Sequence, residues 1–352
     1  MSIQSLVGAV AQGHLGNAQI DVALARAIAR HGLAWDVDCL AEPSVYMSQN
    51  AEGIIKRASR QALLRSMAVA GQASWVAQIL DAAGLRALVY KGSPLAVQTT
   101  GTWRGRGSAD VDVLVAPSDL PSVHRSLLHA GMDRSDGEDA PPGRFTRYME
   151  CERSYTGMPV TVDLHWRIDS TPGYFRVDFD ELWARRVPID VPGLRAWAPG
   201  CADALVITAV HGTREQWVRA RWRLDAARQL MTVSPTEWRT ATAIARRGAR
   251  RALAVTLGVA RLCDAPGLPA EPGVWATRIA RMMLDQAGGA TTSQTSAGAS
   301  AALVSRMDRW RTADSAWTAW DGAIRALARQ VVGDSEKSIV RGRRTWSIGA
   351  RP

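Results

Sequence analysis

Residues 85–115 read LRALVYKGSPLAVQTTGTWRGRGSADVDVLV and carry the strongest structural signals of the chain. Leu85–Tyr90 is a short apolar run, which predicts a strand. Asp110–Val115 predicts a second strand, because aspartates alternate with apolar residues and a continuous apolar run follows. A glycine-rich, basic loop over residues 99–108 separates the two strands. We therefore expect an α/β core in which charged residues gather at one edge of a small sheet.

The turn after the first strand has the composition of an anion-binding turn. It reads Lys91-Gly92-Ser93, and we predict a helix over Ser93–Gln98, with Ser93 as its cap and Pro94 at its first position. A Gly-Ser turn that leads into a helix can hold phosphate oxygens on backbone N–H groups. Lys91 is expected to reach the same edge of the sheet. The alternative is that it is an ordinary surface lysine.

Two carboxylates in the second strand are candidates for binding a metal ion. Side chains alternate between the faces of a strand, so Asp110 and Asp112 share a face. Such carboxylates, together with substrate phosphates, are usual ligands of Mg²⁺. The same spacing occurs twice more without a strand or a Gly-Ser turn. There we expect solvated acids that flank helices or lie in loops: Asp36 with Asp38, and Asp178 with Asp180.

Arg104 and Arg106, in the basic loop, are candidates for binding phosphate. A guanidinium group presents a fork of N–H donors that suits phosphate oxygens. The alternatives are a solvated loop or a salt bridge from an arginine to Asp110. Both arginines therefore stand as candidate nucleotide-binding residues, with Lys91 and the Gly-Ser turn.

A third carboxylate, Asp163, lies in the apolar segment Val162–Trp166. Burying a carboxylate among Val and Leu is costly unless it is paired or bound to a metal. His165 shares the face of Asp163, and either contacts substrate or is a packed, hydrogen-bonded histidine. Asp163 is thus a third candidate for the metal site, and His165 a candidate substrate contact.

The segment around Asp163 predicts an antiparallel hairpin. Residues 145–154 and 160–168 alternate as two strands joined by a turn at Gly157. If the second of these strands lies beside Asp110–Val115, the three aspartates come together on one face of the sheet.

The rest of the chain reads mostly as helix, which predicts an α+β fold: a small mixed sheet with flanking N-terminal helices and a mostly helical C-terminal domain. We divide the chain into an N-terminal helical region, an α/β core, a helical domain and a basic tail, at residues 1–84, 85–200, 201–335 and 336–352. A second short hairpin is expected around Gly193. Apolar periodicity predicts helices over 54–83, Ser118–Ala130 with Ser118 as cap, 202–217, 222–232, 236–247, 250–262, 273–284 and 302–330. Residues 286–300 are of low complexity and predict a loop.

Composition limits the class of protein. The formal net charge is +10, and the excess is almost all arginine, which favours anionic partners or reflects a general drift towards arginine. The four cysteines are scattered and show no spacing typical of zinc sites, so we expect a reducing compartment and no structural zinc. No signal peptide and no apolar run of membrane-spanning length is present, which favours the cytoplasm and no membrane partner.

Taken in order, these motifs resemble those of the nucleotidyltransferase superfamily that includes DNA polymerase beta. More narrowly, the chain resembles a bacterial family of uncharacterised nucleotidyltransferases over about residues 50–265. Sixteen residues separate Ser93 from Asp110, a longer insert than the superfamily usually has but one that the narrower family tolerates. The motifs that carry the resemblance are Lys91-Gly92, Arg106 to Val115, Val162 to Trp166, His211, and Arg221-Trp222-Arg223-Leu224-Asp225.

The resemblance implies a metal-dependent transfer of NMP from an NTP to a hydroxyl group. Asp110, Asp112 and Asp163 would bind Mg²⁺ or Mn²⁺. The triphosphate would be held by Lys91, Gly92, Ser93, Arg104 and Arg106. His211, like His165, is a candidate substrate contact with a structural role as its alternative.

The acceptor implied by the resemblance is a small molecule, a peptide or RNA. Relatives occur in biosynthetic pathways for ribosomally made peptides such as lasso peptides, which favours a role in peptide tailoring. A variant of the hypothesis is that the same site transfers a phosphoryl group. The competing hypothesis is a non-catalytic protein that binds nucleic acid or an acidic partner through its basic surface. The presence of all three aspartates favours the enzyme.

Overall fold

The computed structural model describes residues 1–137, 140–169 and 175–289. The N-terminal part consists of helices and a small parallel pair of strands. The long fourth helix, of 34 residues, extends for about 50 Å and reaches from this part to the central sheet. The elements are α1 (Ile3–Ala11), β1 (Gln19–Ile20), α2 (Val22–Arg30), α3 (Ala34–Leu40), β2 (Tyr46–Met47) and α4 (Gln49–Ala82).

A mixed five-stranded sheet forms the centre of the molecule. Its strand order is β3-β4-β7-β6-β5; β4 and β7 are parallel and the other neighbours are antiparallel. The elements of this region are β3 (Ala87–Val89), α5 (Gly92–Thr100), β4 (Asp110–Val115), α6 (Leu120–His129), β5 (Asp133–Arg134), α7 (Arg144–Met149), β6 (Glu152–Thr156) and β7 (Thr161–His165).

The C-terminal part of the described chain is a hairpin followed by a group of helices. Its elements are α8 (Phe179–Ala184), β8 (Val187–Val191), β9 (Leu194–Ala198), α9 (Cys201–Arg214), α10 (Ala220–Thr232), α11 (Pro235–Ala245), α12 (Arg250–Leu262) and α13 (Val274–Gly289). Among the helices of the described residues, none combines the length and the apolar character that crossing a bilayer requires.

Strand β4 is buried on both of its faces, because the sheet separates two apolar clusters. Val111, Val113 and Val115 face a cluster that includes α4 and α6. Leu114 faces the other cluster, which is formed largely by α9, α11 and α12. Since side chains alternate along a strand, Asp110 and Asp112 share the face of Leu114. The aspartates therefore point to the side of the sheet on which the C-terminal helices pack.

The N-terminal helices share a core with the C-terminal helices. Leu6, Ile28 and Ile55 lie in the same cluster as Leu224 of α10 and Cys263, which follows α12. Burial of this shared surface holds α1–α4 against α10 and α12. As a result, N-terminal and C-terminal segments both surround the aspartate-bearing face of the sheet.

The structure confirms the α+β class, the mixed sheet, both hairpins and the five C-terminal helices that fall within the described residues. Helix α11 begins at Pro235, one residue before the predicted start, and Ser234 and Glu237 form a capping box there. The predicted helix over 302–330 and the basic tail over 336–352 lie outside the described residues.

Four details of the sequence analysis are wrong. Helix α5 begins at Gly92 with Lys91 as its cap, so Ser93 is not the cap and Pro94 is the third residue of the helix, not the first. Ser118 does not cap α6 either, because its hydroxyl bonds to Asp119. Residues 144–149 form a helix, so the strand predicted over 145–154 is confined to Glu152–Thr156. The first residues of the predicted 286–300 loop, up to Gly289, belong to α13.

Candidate active site

The parallel pairing of β4 with β7 places the candidate aspartates side by side. Asp112 is in direct register with Asp163, and both side chains project from the same face as Asp110. Two serine hydroxyls hold the outer carboxylates: Ser108 Oγ donates to Asp110 Oδ1 at 2.9 Å, and Ser154 Oγ donates to Asp163 Oδ1 at 2.5 Å. The sheet thus orients three carboxylates towards one space.

Asp112 is the most strongly held of the three. Its Oδ1 lies 2.9 Å from Lys91 Nζ and 2.9 Å from His165 Nε2. Burial acts to raise the pKa of Asp112, but the Lys91 ammonium and the hydrogen bond from His165 outweigh it and hold the pKa well below its usual range. Asp112 is therefore a carboxylate anion that is neutralised by Lys91.

Lys91 reaches Asp112 from an unusual backbone conformation. Its φ is 57° and its ψ is −147°, a region that residues other than glycine rarely adopt. Such a conformation costs about 1–3 kcal/mol and persists only where the surrounding structure enforces it. The turn between β3 and α5 is thus shaped to bring the lysine to the aspartates.

The negative charge of Asp163 is less well compensated than that of Asp112. Burial raises its pKa, and repulsion from Asp110 and Asp112 acts in the same direction, whereas the Ser154 hydrogen bond opposes the rise. The carboxylates are therefore in excess over the cations that the described residues place next to them, which is the electrostatic setting that a bound divalent cation would relieve.

Arg106 is fixed at the edge of the same space by a buried ion pair. Its Nε and Nη2 both bond to Asp225 of α10, with an Nη2–Oδ2 distance of 2.7 Å, and both side chains are nearly inaccessible. The remaining nitrogen, Nη1, faces the start of α5, where it lies 3.9 Å from the position a Cβ on Gly92 would occupy. Gly92 has a φ of 38°, so a side chain there would be strained. A guanidinium nitrogen and a helix N-terminus therefore border the same gap.

These residues line a cavity of about 590 Å³. The three aspartates, Lys91, Gly92 and Arg106 form one side of it. Arginines from α2, α4 and the segment before α10, namely Arg30, Arg65 and Arg219, lie in the wall contributed by the helices. The volume is in the range of small-molecule and cofactor sites.

The two candidate histidines have different surroundings. His211 of α9 lines the cavity and contacts the ring of Trp222 edge-on, with centroids 5.1 Å apart. Burial, with Lys91 and Arg214 nearby, lowers the pKa of His211 well below its ordinary value, so the imidazole is neutral. His165 is buried behind Asp112 and is hydrogen-bonded to it, in agreement with the packed alternative.

Two of the predicted nucleotide-binding residues do not reach this cavity. The side chain of Ser93 is buried within the first turn of α5, leaving only its backbone near the site. Arg104 lines a separate cavity of about 170 Å³ next to the first one, and its guanidinium lies 6.0 Å from the Trp103 ring. The Gly-Ser turn and Arg106 remain at the site, and Arg104 does not.

The structure also shows residues that the sequence analysis missed or misread. Asp36 is buried and paired with Arg221 and Arg228, so the expectation of a solvated acid is wrong for it. Asp178 does flank a helix, since it caps α8. The hydrogen bonds of Ser108 and Ser154 to the aspartates were missed: Ser108 bonds to Asp110 two residues away, and Ser154 bonds to Asp163 across the β6–β7 pairing. Asp225 was part of a motif that carries the resemblance, but its ion pair with Arg106 arises only when α10 packs against the loop before β4.

A divalent cation fits the carboxylate face on chemical grounds. Carboxylate oxygens are preferred ligands of Mg²⁺ and Mn²⁺, and strand pairing brings three carboxylates to one face of the sheet. A second cluster of potential metal ligands lies nearby. In the described part of the chain, one ligand atom each from Cys151, Glu152 and His165 lie within 4.8 Å of one another.

A protein-family model with the description "Uncharacterised nucleotidyltransferase" matches residues 22–263 of the chain. The matched range begins at α2 and ends just after α12, so it includes the sheet, the cavity and most of the helices around it. No curated protein matches the sequence.

Proposed function

The chain belongs to the uncharacterised nucleotidyltransferase family, and on that premise we propose that it is a metal-dependent enzyme that transfers NMP from an NTP to a hydroxyl acceptor. The observation that carries the proposal is the register of Asp112 with Asp163 on parallel strands, with Asp110 on the same face of the sheet. This arrangement directs three carboxylates into a cavity that is also lined by several arginines.

The carboxylates would hold Mg²⁺ or Mn²⁺, which stabilises the entering and leaving oxygens of an in-line displacement at phosphorus. The chain's own cations bind the triphosphate. Arg106 is pre-oriented by Asp225, so its free edge offers N–H donors at the start of α5 without loss of side-chain entropy. Backbone N–H groups of the first turn of α5 are available to phosphate oxygens, because a helix leaves them without partners.

Lys91 connects the carboxylates to the triphosphate. It neutralises Asp112 in the structure, and it lies at the cap of the helix whose N-terminus borders the site. We propose that the ammonium group moves from Asp112 to a phosphate oxygen when the nucleotide binds. The acceptor oxygen then forms a bond to the α-phosphorus, the bond to the β-phosphate oxygen breaks, and pyrophosphate leaves. Asp163, which lies beside Asp112 on the same face of the sheet, receives the proton of the acceptor hydroxyl.

Two further features support nucleotide binding over the binding of a simple phosphate. The cavity is larger than a triphosphate alone requires, and the ring of Trp222 lines it beside the neutral His211. An aromatic face of this kind can stack a base. For the acceptor we propose a hydroxyl group of a peptide, with a small molecule and RNA as the alternatives to be tested beside it.

Titration calorimetry with each of the four NTPs in the presence of Mg²⁺ tests the proposal. We expect wild type to bind at least one NTP and Asp110→Asn to lose that binding, because the substitution removes a charge from the carboxylate face. The matched control is Asp190→Asn, in an exposed aspartate of the β8–β9 hairpin, which should bind as wild type does. Equal binding by Asp110→Asn, or no binding of any NTP with Mg²⁺ or Mn²⁺, would contradict the proposal and favour the non-catalytic alternative.

A product assay then separates transfer from binding. Pyrophosphate release from the bound NTP should depend on an added hydroxyl acceptor, and peptide, small-molecule and RNA acceptors are compared directly. Release of inorganic phosphate without pyrophosphate would instead identify phosphoryl transfer at the same site.

A further inference from the structure

Cys151, Glu152 and His165 bring three metal-ligating groups together at the junction of β6 and β7. One ligand atom from each residue lies within 4.8 Å of the other two. Glu152 Oε2 is 3.9 Å from Cys151 Sγ and 3.1 Å from His165 Nδ1. Ligand atoms around a tetrahedral zinc ion are separated by distances of about this size, since zinc binds sulfur at about 2.3 Å and nitrogen or oxygen at about 2.0 Å.

The strand pairing that creates this cluster is rigid. Glu152 of β6 is in register with His165 of β7, so their side chains share a face. Cys151 directly precedes β6, and its carbonyl accepts a hydrogen bond from the Trp166 amide at 2.9 Å. The sequence separates Cys151 and His165 too widely for a zinc-binding motif, which is why spacing alone gave no sign of the site.

One nitrogen of His165 is buried without a hydrogen bond. The residue is only 2% exposed, and among the described residues Nδ1 makes no hydrogen bond, although Glu152 Oε2 lies 3.1 Å from it, within ion-pair distance. A buried polar atom without a partner is costly, and a native structure usually supplies one. Nδ1 points at the thiol and the carboxylate, and a cation between them would satisfy it.

The other nitrogen of His165 has the partner that a metal-bound histidine usually has. Nε2 is hydrogen-bonded to Asp112 Oδ1 at 2.9 Å. Histidines that bind a metal through one nitrogen commonly donate the other N–H to a carboxylate, which fixes the tautomer and orients the ring. Asp112 therefore orients His165 for binding a cation through Nδ1.

The charges around the thiol favour a cation. Burial and the carboxylates of Glu152 and Asp169 raise the pKa of the Cys151 thiol to about 12. The Arg214 guanidinium acts in the opposite direction, but its Nε is bonded to Glu215 at 2.9 Å. Of these influences, the negative charges of Glu152 and Asp169 are the ones that also favour a divalent cation next to the sulfur.

We propose that Cys151, Glu152 and His165 form a binding site for Zn²⁺ or a similar soft divalent cation, next to the aspartate site, since Glu152 lines the same cavity and His165 is hydrogen-bonded to Asp112. A mixed sulfur, nitrogen and oxygen donor set selects zinc over Mg²⁺. On binding, Cys151 Sγ releases its proton to solvent and forms a bond to the metal. The side chain of Glu152 is 44% exposed, which provides an entry path and leaves the fourth position to water.

Titration of the full chain with Co²⁺, a spectroscopic substitute for Zn²⁺, tests this site. We expect thiolate-to-cobalt charge-transfer absorption in the near ultraviolet that saturates at one equivalent and disappears when Zn²⁺ is added. Cys151→Ala should remove this absorption. Cys263→Ala, at a second buried cysteine, is the matched control and should retain it.

Two more variants make the outcome decisive. Glu152→Gln changes a half-exposed side chain, so the protein should fold, and we expect Co²⁺ binding to weaken by more than about tenfold through loss of a ligand. Asp110→Asn should leave the absorption unchanged, because the aspartate site offers no sulfur. Absence of the absorption in wild type, its persistence in Cys151→Ala, or an unchanged dissociation constant in Glu152→Gln would overturn the proposal. Any of these outcomes would leave the proposed NTP site standing, because NTP binding is measured separately.

Discussion

At the scale of single residues, Arg106 and Asp225 show how the cavity wall holds a cation in place. Both side chains are buried, and the pair is bonded through two nitrogens of the guanidinium. In such a pair the desolvation of each charge is offset only by its partner. The guanidinium is thereby fixed next to Gly92 before any ligand arrives.

Removing Asp225 should therefore destabilise the protein strongly. We expect Asp225→Ala to lower the free energy of unfolding by about 3–5 kcal/mol, because it leaves the Arg106 charge buried without a partner. The control is Asp190→Ala, which breaks the exposed pair with Arg195 and should change stability by less than about 1 kcal/mol. Urea denaturation of both variants measures the difference. Equal effects would show that Arg106 finds another partner.

His31, in the wall of the same cavity, makes stability depend on pH. Burial, together with Arg223, Arg30 and Arg219, lowers its pKa from 6.5 to about 4, and its Nδ1 accepts the Ala220 amide at 3.3 Å. Between these two values the unfolded chain binds a proton that the folded chain does not. The neutral ring therefore contributes fully above about pH 6.5, and its contribution is lost as the pH falls towards 4.

We expect His31→Gln to remove this part of the acid sensitivity. Between pH 7 and pH 4, wild type should lose about 1–2 kcal/mol more stability than the variant, a figure that allows for solvent screening of a partly exposed ring. Denaturation curves at pH values from 4 to 7 provide the measurement. Parallel losses in both proteins would contradict the assignment.

The face of the sheet on which a strand residue lies was predictable where the alternation of its neighbours along the chain determines it. Alternation along β4 was enough to place Asp110 and Asp112 on one face. Asp163 was a conditional prediction, because only the pairing of β4 with β7 brings it beside them. Asp36 was misread because the arginines that pair with it, Arg221 and Arg228, come from α10.

At the scale of elements, caps and glycines show where local rules hold. The capping box of α11 was predictable because all of its groups lie within four residues. The start of α5 was not, because the site holds Lys91 in a backbone conformation that its own propensity disfavours. For these two helices, the local capping rule fails next to the proposed active site and succeeds away from it.

Two helix glycines should respond in opposite ways to the same substitution. Gly71 of α4 has open space where a Cβ would be, so Gly71→Ala should stabilise the protein by about 0.5–1 kcal/mol through helix propensity. In α1, a Cβ on Gly8 would meet the Cys263 carbonyl oxygen at much less than van der Waals distance. Gly8→Ala should therefore destabilise by about 1–3 kcal/mol. Thermal unfolding of the pair is the measurement, and changes of the same sign would contradict it.

At the scale of the whole molecule, the first helix, α1, and the C-terminal helices α10 and α12 depend on each other. Leu6 is fully buried in a cluster that also contains Leu224 and Cys263. Local sequence patterns give no sign of this contact between distant parts of the chain. The sequence-based domain boundaries at residues 84 and 200 therefore do not take it into account.

If this core is shared, damage to α1 should lower the stability of the whole described fold. We expect Leu6→Ala to cost about 2–5 kcal/mol. Far-ultraviolet circular dichroism and tryptophan fluorescence should still report the same urea midpoint. Leu64→Ala, at an exposed position of α4, serves as the control and should have little effect. Separate transitions by the two probes would indicate that the N-terminal helices unfold independently.

During folding, β4 and β7 must meet across the whole of residues 116–160, because parallel neighbours cannot be joined by a tight turn. Closing so long a loop is slow compared with forming α4 or the β6–β7 hairpin, whose contacts are local. Intermediates that contain those local elements would lack the pairing of Asp112 with Asp163. Nucleotide and metal should therefore slow unfolding without accelerating refolding, since neither has a site until the last long-range pairing is made.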